Sequence, residues 1–489
     1  MLSKHRRRSA ATVLTRASVA AVALVASTAT VHADPTFFPK RIAAWTDKQF
    51  DHDCFWGGPR GMDYARLPNP QPIQIPNLYP DVGSTYFVAQ FKLPEGAYLT
   101  IQGDAPYERY FSFTIANNLA GGGLGGGDFL RDEFIIPDPG SVNPAQRTTR
   151  RDAKNRRYTV RVLPGPVPAV KEPNTVYTPT ADRDELVHLS MRNYIPDQYL
   201  DGTGGVGLPR VTLTLADGTT QTGEEMCRTL QVTKEQTANA TFPRDLWEQL
   251  IAEQPDPANA PAQNPPRWER FWNALYSIAG FFIEDQELRA RTFPPNEAGG
   301  LAANPDTRYL FTATSANFGD VLYITARMPV TPRTYRHNKF WPESYQVRYW
   351  SMCTASSPVI GWSYDCVWDE QIPVDENGDY HIVLSKRSKK PRNARPECGF
   401  YWLDIGDGDG YDGPAAREAV NVAYMRFMAA DPSWEQAPQK ITTPGTEEEV
   451  MGPYFPRSQY MSKATFEAFG CPARERGSVR KPSLPQPSE

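Results

Sequence analysis

Three charged positions recur in both halves of this sequence, and their side chains are the ones best suited to form a charged site. The candidate binding residues are Arg109 and Arg348, Asp132 and Asp369, and Arg192 and Arg426. Aromatic strand neighbours predict that the arginines are partly buried, and a buried guanidinium needs a carboxylate partner, for which the two aspartates are the natural candidates. Such pairs could orient a carboxylate ligand at a pocket. Their recurrence in both copies favours a role in the shared fold instead.

Two short segments have the composition of metal sites without the spacing. Consecutive side chains in residues 51–54, Asp-His-Asp-Cys, point to opposite faces of an extended chain, and an oxidised Cys54 could not ligate. Residues 404–413, DIGDGDGYDG, do not match a calcium loop with its distant glutamate. We expect solvated loops at both places, no bound metal and no cofactor.

No segment carries a catalytic motif. The glycine-rich residues 121–127 lack the Lys-Ser/Thr of a phosphate-binding loop and are more typical of a mobile loop, although they could let backbone approach a ligand. Ser363 lacks the second glycine of a nucleophile elbow. A catalytic triad assembled from distant residues remains an alternative, and we assign no catalytic residues.

The strongest internal signal in the sequence is the duplication of one domain. Five blocks recur in one order at offsets of 222 to 239 residues. They are 96–101 with 319–324, 109–112 with 348–351, 132–137 with 369–373, 158–162 with 380–384, and 187–192 with 422–426. Chance could produce one such match, but five matches in the same order indicate duplication.

The blocks read as strands, because their side chains alternate with a period of two and turn residues separate them. The sequence predicts an all-β fold of two tandem, internally duplicated β-sandwich or jelly-roll-like domains with one short interdomain helix. The predicted bounds are 34–251 for the first domain, 252–284 for a proline-rich linker and amphipathic helix, and 285–475 for the second domain.

The linker and helix are predicted from two different patterns. Residues 252–266 are rich in proline and have little to bury. Apolar residues then follow at helical spacing, which predicts one amphipathic helix over 267–283. We expect this helix to pack between the two sandwiches, and the alternative is a helix lying on a membrane surface.

The ends and the charge predict an exported protein. Residues 1–33 combine a basic start with a short apolar core and are expected to be a signal peptide cleaved before Asp34, with an uncleaved anchor as the alternative. Removing them takes five of the 52 basic residues and changes the net charge from −4 to −9. An acidic surface argues against nucleic acid as a partner. Residues 476–489 are expected to be a disordered tail, and no span remains in the mature chain.

All six cysteines follow the predicted leader, and an even number in an exported chain indicates disulfides rather than metal ligands. Six cysteines allow 15 connectivities in principle. Our preferred pairing is Cys54 with Cys227, Cys353 with Cys366, and Cys398 with Cys471.

The motifs RYFS, DEFIIPDPGSVNP, YTVRV and MRNYIPD, with RYWSMC, DEQIP, CGFYWL and MGPYFP, resemble a family of exported bacterial proteins with tandem β-rich domains of unknown function. The resemblance covers most of residues 80–475. It implies a periplasmic, cell-envelope or secreted protein with two sandwiches, and it supplies no activity or catalytic residues.

Two functions of different classes fit these observations. The first is a non-catalytic module that binds a glycan, a lipid or a partner protein outside the cytoplasm, with Trp56, Trp341 and Tyr411 as exposed aromatic contacts. The second is a secreted hydrolase or lyase with a pocket at the interface of the two sandwiches. The absence of a catalytic motif places the binding module first.

Overall fold

A computed structural model describes residues 54–60, 79, 81–117, 127–178, 186–233, 244–295, 306–357, 363–410 and 417–472. The predicted leader, residues 51–53, residues 121–126, Tyr411 and the predicted tail lie outside these ranges. Within the described ranges, no helix has both the length and the apolar character needed to cross a membrane.

Ten strands form two five-stranded sheets in the first half of the chain, which we call the first copy. They are β1 (Gly57–Arg60), β2 (Ser84–Phe91), β3 (Tyr98–Asp104), β4 (Glu108–Asn117), β5 (Asp128–Arg131), β6 (Arg157–Pro164), β7 (Thr175–Thr178), β8 (Val187–Pro196), β9 (Arg210–Thr214) and β10 (Thr220–Gln221). One sheet has the order β1-β2-β8-β4-β5 and the other the order β10-β9-β3-β6-β7.

Nine strands form two sheets in the second half, the second copy. They are β11 (Glu269–Arg270), β12 (Thr307–Ser315), β13 (Val321–Arg327), β14 (Val347–Ala355), β15 (Ser363–Trp368), β16 (Asp379–Ser385), β17 (Tyr401–Asp404), β18 (Val420–Ala430) and β19 (Arg457–Met461). Their orders are β11-β12-β18-β14-β15 and β17-β16-β13-β19.

The two copies share one topology, which confirms the all-β class and the duplication. Adding ten to each strand number of the first copy gives the order of the second, apart from β10. The register agrees as well, because Ser112 lies opposite Arg192 and Ser351 lies opposite Arg426. In each copy only one neighbouring pair is parallel, β6 with β7 and β16 with β17, among the described strands.

One sheet in each copy is buried on both faces. Every residue of β14 is buried, and only the last residue of β8 and of β18 is not. One face packs against the second sheet of the same copy, and the other face packs against the other copy through a cluster of Tyr110, Tyr194, Tyr349 and Met428. We call these two sheets the inner sheets. They place β4 and β14 against each other at the centre of the molecule.

Short helices complete the chain. The α-helices are α1 (Gly223–Thr229), α2 (Arg244–Ala252), α3 (Ala274–Gly280), α4 (Gln286–Thr292), α5 (Glu447–Met451) and α6 (Lys463–Glu467). The 3₁₀ helices are Asp132–Phe134, Asp369–Gln371, Arg387–Lys389, Pro396–Cys398, Pro438–Lys440 and Gly452–Tyr454. The first two follow β5 and β15 directly and carry the recurring aspartates.

The helix predicted over 267–283 is shorter than expected. Residues 269–270 pair with β12 as β11, and α3 begins only after Asn273, whose side chain accepts the backbone N–H of Tyr276 at 2.9 Å. Tyr276 packs into the core of the second copy. The helices α2 and α4, which lie on either side of the predicted range, were not predicted.

Residues 252–266 are mostly exposed or half-buried, as expected, but residues 260–262 are buried. Ala260 and Ala262 are buried, and Ala260 packs with Trp247 of α2 and with Phe282. The side chain of Arg417 donates hydrogen bonds to the carbonyl oxygens of Ala260 and Pro257. The prolines of this segment therefore shape a packed connection to the second copy.

All three predicted disulfides are present. Cys54 pairs with Cys227, Cys353 with Cys366, and Cys398 with Cys471. The second pair joins directly opposed residues of the β14–β15 hairpin. Disulfides of this kind are typical of proteins that fold in oxidising compartments.

Candidate functional site

The recurring arginines and aspartates pair, as predicted, but the pairs cross between the copies. Arg109 on β4 donates from Nη1 to both carboxylate oxygens of Asp369, at 2.8 and 2.7 Å. Arg348 on β14 donates from Nη1 and Nη2 to the two oxygens of Asp132, at 2.7 and 2.9 Å. All four side chains are almost completely buried. Each copy therefore supplies the carboxylate that neutralises the other copy's arginine.

The surroundings of the two ion pairs match in detail. Asp132 accepts the backbone N–H of Phe111 at 3.0 Å, and Asp369 accepts that of Trp350 at 3.0 Å. Arg348 also donates to the carbonyl oxygen of Arg109 at 2.8 Å, while Arg109 donates to that of Arg348 at 3.5 Å. Contacts of i with j and of j with i are the signature of a two-fold symmetric interface. The two copies thus meet as the subunits of a symmetric dimer would.

Burial dominates the ionisation of these groups. It raises the pKa of Asp132 and of Asp369, against the lowering by the facing guanidinium in each case. Burial also lowers the pKa of Arg348, but the charges of Asp132, Tyr345 and Glu133 and the hydrogen bond to Asp132 together outweigh it, so that the pKa is raised. Because each charge depends on its partner, these pairs are suited to hold the interface together rather than to release protons.

Arg426 joins the two copies at a second place. It pairs with the buried carboxylate of Asp81, which precedes β2 of the first copy, and donates to the carbonyl oxygen of Tyr79 at 3.2 Å. The same carboxylate accepts hydroxyl groups from Tyr349 at 2.7 Å and from Ser351 at 2.5 Å. Arg426 therefore has a structural partner and is not presented to a ligand.

Arg192, the counterpart of Arg426, is buried beside the ring of Tyr86, 5.7 Å from the ring centroid. It is not part of the crossed pairs of Arg109 and Arg348. The tyrosines of β4 and β14 repeat the crossed pattern, because Tyr110 donates to Asp306 at 2.8 Å just as Tyr349 donates to Asp81. Five of the six predicted binding residues thus make ion pairs between the copies, and the sixth, Arg192, is buried.

Glu108, which sequence analysis missed, is the one unusual carboxyl near this interface. It is 6% exposed, and neither of its oxygens has a hydrogen-bond partner among the described residues. Burial, and then the charges of Asp132 and Asp197, raise its pKa well above the ordinary value. Its counterpart, one residue before Arg348, is the buried Val347. Because the second copy folds with valine here, the fold itself does not require the carboxyl.

Glu108→Val is expected to raise the free energy of unfolding near neutral pH by about 1–3 kcal/mol, the cost of an unpaired buried polar group. Since folding raises the pKa of Glu108, its protonation stabilises the fold. This stabilisation by protonated Glu108 is fully present at pH values below the ordinary pKa of glutamate. It is lost as the pH rises through the raised pKa of Glu108 in the folded protein. Urea denaturation at pH 4 and pH 8 measures the difference, and an equal effect at both values would contradict this account.

Among the described residues, only Asp81, Cys353 and Cys366 form a group whose side chains are close enough together to ligate a metal ion. Both sulfurs in that group belong to a disulfide, so they are not available as ligands. In the aspartate-rich segment, Asp404 pairs with Arg387 at 2.9 Å and Asp409 is buried. These carboxylates are engaged in local structure.

The aromatic side chains predicted to be exposed are not. Trp56 is 3% exposed and donates from Nε1 to the carbonyl oxygen of Pro209 at 2.9 Å. Trp341 is 7% exposed and donates to Pro144 at 2.8 Å. The prediction is wrong for both because each indole N–H finds a carbonyl oxygen far along the chain. Tyr411 lies outside the described residues.

A cleft among the described residues lies away from the crossed pairs. Its volume is about 450 Å³, including its open mouth. It is bordered by Arg267, Glu269 and Arg270 beside α3. Glu269 is bound by Arg289 through both oxygens, at 2.9 and 3.1 Å, and Arg267 donates to the carbonyl oxygen of Gly280 at 2.5 Å. Glu269 is thus paired with Arg267 and Arg289, and the side chain of Arg270 donates to the carbonyl oxygen of Ile441.

No protein-family model and no curated protein matches the chain. Several solved structures align with it, including the following two. An uncharacterised protein from Burkholderia cenocepacia is 13% identical with a TM-score of 0.41, over 93% of this chain and 96% of that one. A protein from Vibrio parahaemolyticus is 9% identical with a TM-score of 0.34, over 78% of this chain and 90% of that one. Neither description names an activity or a ligand.

Proposed function

We propose that this chain is an exported, non-catalytic binding protein whose two copies form one rigid scaffold. The observation that carries the proposal is the crossed pairing of Arg109 with Asp369 and of Arg348 with Asp132. The charged residues most able to orient a substrate form ion pairs that hold the two copies together. The three disulfides support the exported location.

The alternative, a hydrolase or lyase with a pocket between the sandwiches, needs free acid and base groups at an open interface. Among the described residues that interface is filled by the cluster of Tyr110, Tyr194, Tyr349 and Met428. The described cleft beside α3 presents paired charges. The binding role is therefore the function that the geometry supports best.

Native mass spectrometry of the protein purified from the exported fraction tests this proposal. We expect a mature chain that begins at Asp34, three disulfides, and a retained ligand or partner that is released unchanged. The same sample is incubated with chromogenic esters, peptides and glycosides. Turnover that is lost when Asp132 or Glu108 is replaced in a folded variant would overturn the non-catalytic assignment.

A further inference from the structure

Two insertions that the duplicated fold does not require meet on one surface. Residues 135–156 connect the 3₁₀ helix Asp132–Phe134 to β6, where the second copy has only residues 372–378. Residues 328–346 connect β13 to β14, where the first copy has only residues 105–107. Because each copy folds without the other's insertion, these segments were free to acquire a function. We call the surface that they share the insertion surface.

The insertion surface is held rigid by Arg151, whose side chain is 4% exposed. Its backbone N–H donates to Lys339 at 2.8 Å, and its guanidinium donates to the carbonyl oxygen of Asn338 at 2.7 Å. It also pairs with Asp197 at 2.6 Å, which ties in the segment that follows β8. A surface that is ordered before binding loses less conformational entropy when a partner docks.

The insertions are basic in an acidic chain. Together they carry eight lysines and arginines and three acidic residues, a net charge of +5, whereas the whole chain has −4. Lys154, Arg336 and Lys339 are exposed and have no carboxylate within 4.0 Å among the described residues. Arg150 is half exposed and shares its charge with Asp152 at 2.8 Å. Unpaired cations on a rigid surface attract an anionic partner.

Two aromatic side chains protrude among these cations. Phe340 is 62% exposed and lies beside the guanidinium of Arg150, 5.4 Å from its ring centroid. Tyr199 is 91% exposed, and the neighbouring Gln198 donates its backbone N–H to the carbonyl oxygen of Tyr335 at 2.7 Å, within the second insertion. Side chains this exposed cannot line a cavity. They are available to contact apolar groups that a partner brings.

We propose that the insertion surface binds an acidic segment of a partner protein. The partner's carboxylates would pair with Arg336, Lys339 and Lys154, and its apolar side chains would cover Phe340 and Tyr199. Arginine and tyrosine are enriched among the residues that dominate protein–protein binding energy. An anionic glycan offers carboxylates without the apolar side chains that the two rings require. This inference rests on the proposed function, because it names the partner of that binding role.

The test measures binding of a fluorescent 15-residue peptide in which glutamates alternate with leucines and phenylalanines, beside its glutamine counterpart and polygalacturonate. We expect the acidic peptide to bind more tightly than the other two, with an affinity that falls as salt is added. The double variant R336E/K339E should weaken its binding at least about tenfold. The variant Y199A/F340A should weaken it about fivefold without changing the salt dependence.

The matched control is K389E/R392E, which reverses two exposed charges on the loop after β16 and should change the affinity less than about twofold. Unfolding midpoints show that each variant is folded. Equal binding of the glutamine peptide, tighter binding of polygalacturonate at equal carboxylate concentration, or an equal loss in the control would overturn the inference. A ligand that native mass spectrometry finds retained equally by R336E/K339E would also overturn it, while leaving the binding function intact.

Discussion

Arg348→Ala is expected to lower the free energy of unfolding of the whole chain by about 3–5 kcal/mol, the typical cost of removing one partner from a buried ion pair. The substitution leaves the buried carboxylate of Asp132 without its guanidinium partner. Asp369→Ala should have a smaller effect, because Arg109 keeps Glu370 as a second carboxylate partner. Urea denaturation at neutral pH measures both losses.

The double variant Arg348→Met with Asp132→Leu is the control for this prediction. It removes both charges and keeps most of the side-chain volume, so its loss of stability should be much smaller than that of Arg348→Ala. The same comparison can be made with Arg109 and Asp369. A loss below about 1 kcal/mol for the single substitutions would contradict the buried pairing, as would a double variant that is no more stable than the single ones.

Removal of the Cys54–Cys227 disulfide by alanine substitution of both residues is the second large effect. This bridge has a sequence separation of 173 residues, and loop-closure entropy gives about 5 kcal/mol for a loop of that size. The bridge between Cys353 and Cys366 spans 13 residues, for which the same relation gives about 3 kcal/mol. We therefore expect the first double variant to lose more stability than the second.

Thermal unfolding of the two disulfide variants, each beside the intact chain, gives the comparison. Both variants keep four cysteines in native pairs, so mass spectrometry without reduction confirms that no exchange has occurred. Equal losses, or a larger loss for the short hairpin bridge, would show that chain entropy is not the main contribution of these disulfides.

Much of the fold could be predicted from the sequence because duplication supplies an internal comparison. Blocks such as 109–112 and 348–351 gave the equivalent strands, and alternation in 98–103 matches the half-buried pattern of β3. The placement of two cysteines in the first half favoured the pair Cys54–Cys227, whereas the two pairs of the second half were a preferred choice among the open connectivities. The pairing of arginine with aspartate also followed, because a buried guanidinium must find a carboxylate.

The sequence could not reveal which copy supplies each carboxylate, because pairing within a copy and pairing between copies use the same residue types. The burial of Trp56 and Trp341 could not be predicted from the sequence either. Their carbonyl partners lie 153 and 197 residues away, and no local pattern records such a contact. The one visible signal for the insertion surface was the unequal spacing of the repeated blocks, from 222 to 239 residues.

Differential scanning calorimetry of the intact chain tests the central claim, that the two copies share one buried interface and fold as one unit. The crossed pairs predict a single transition whose calorimetric and van't Hoff enthalpies agree, and Arg348→Ala should shift that whole transition to lower temperature. Two separate transitions in the intact chain, or a shift confined to part of the heat absorbed, would contradict the account.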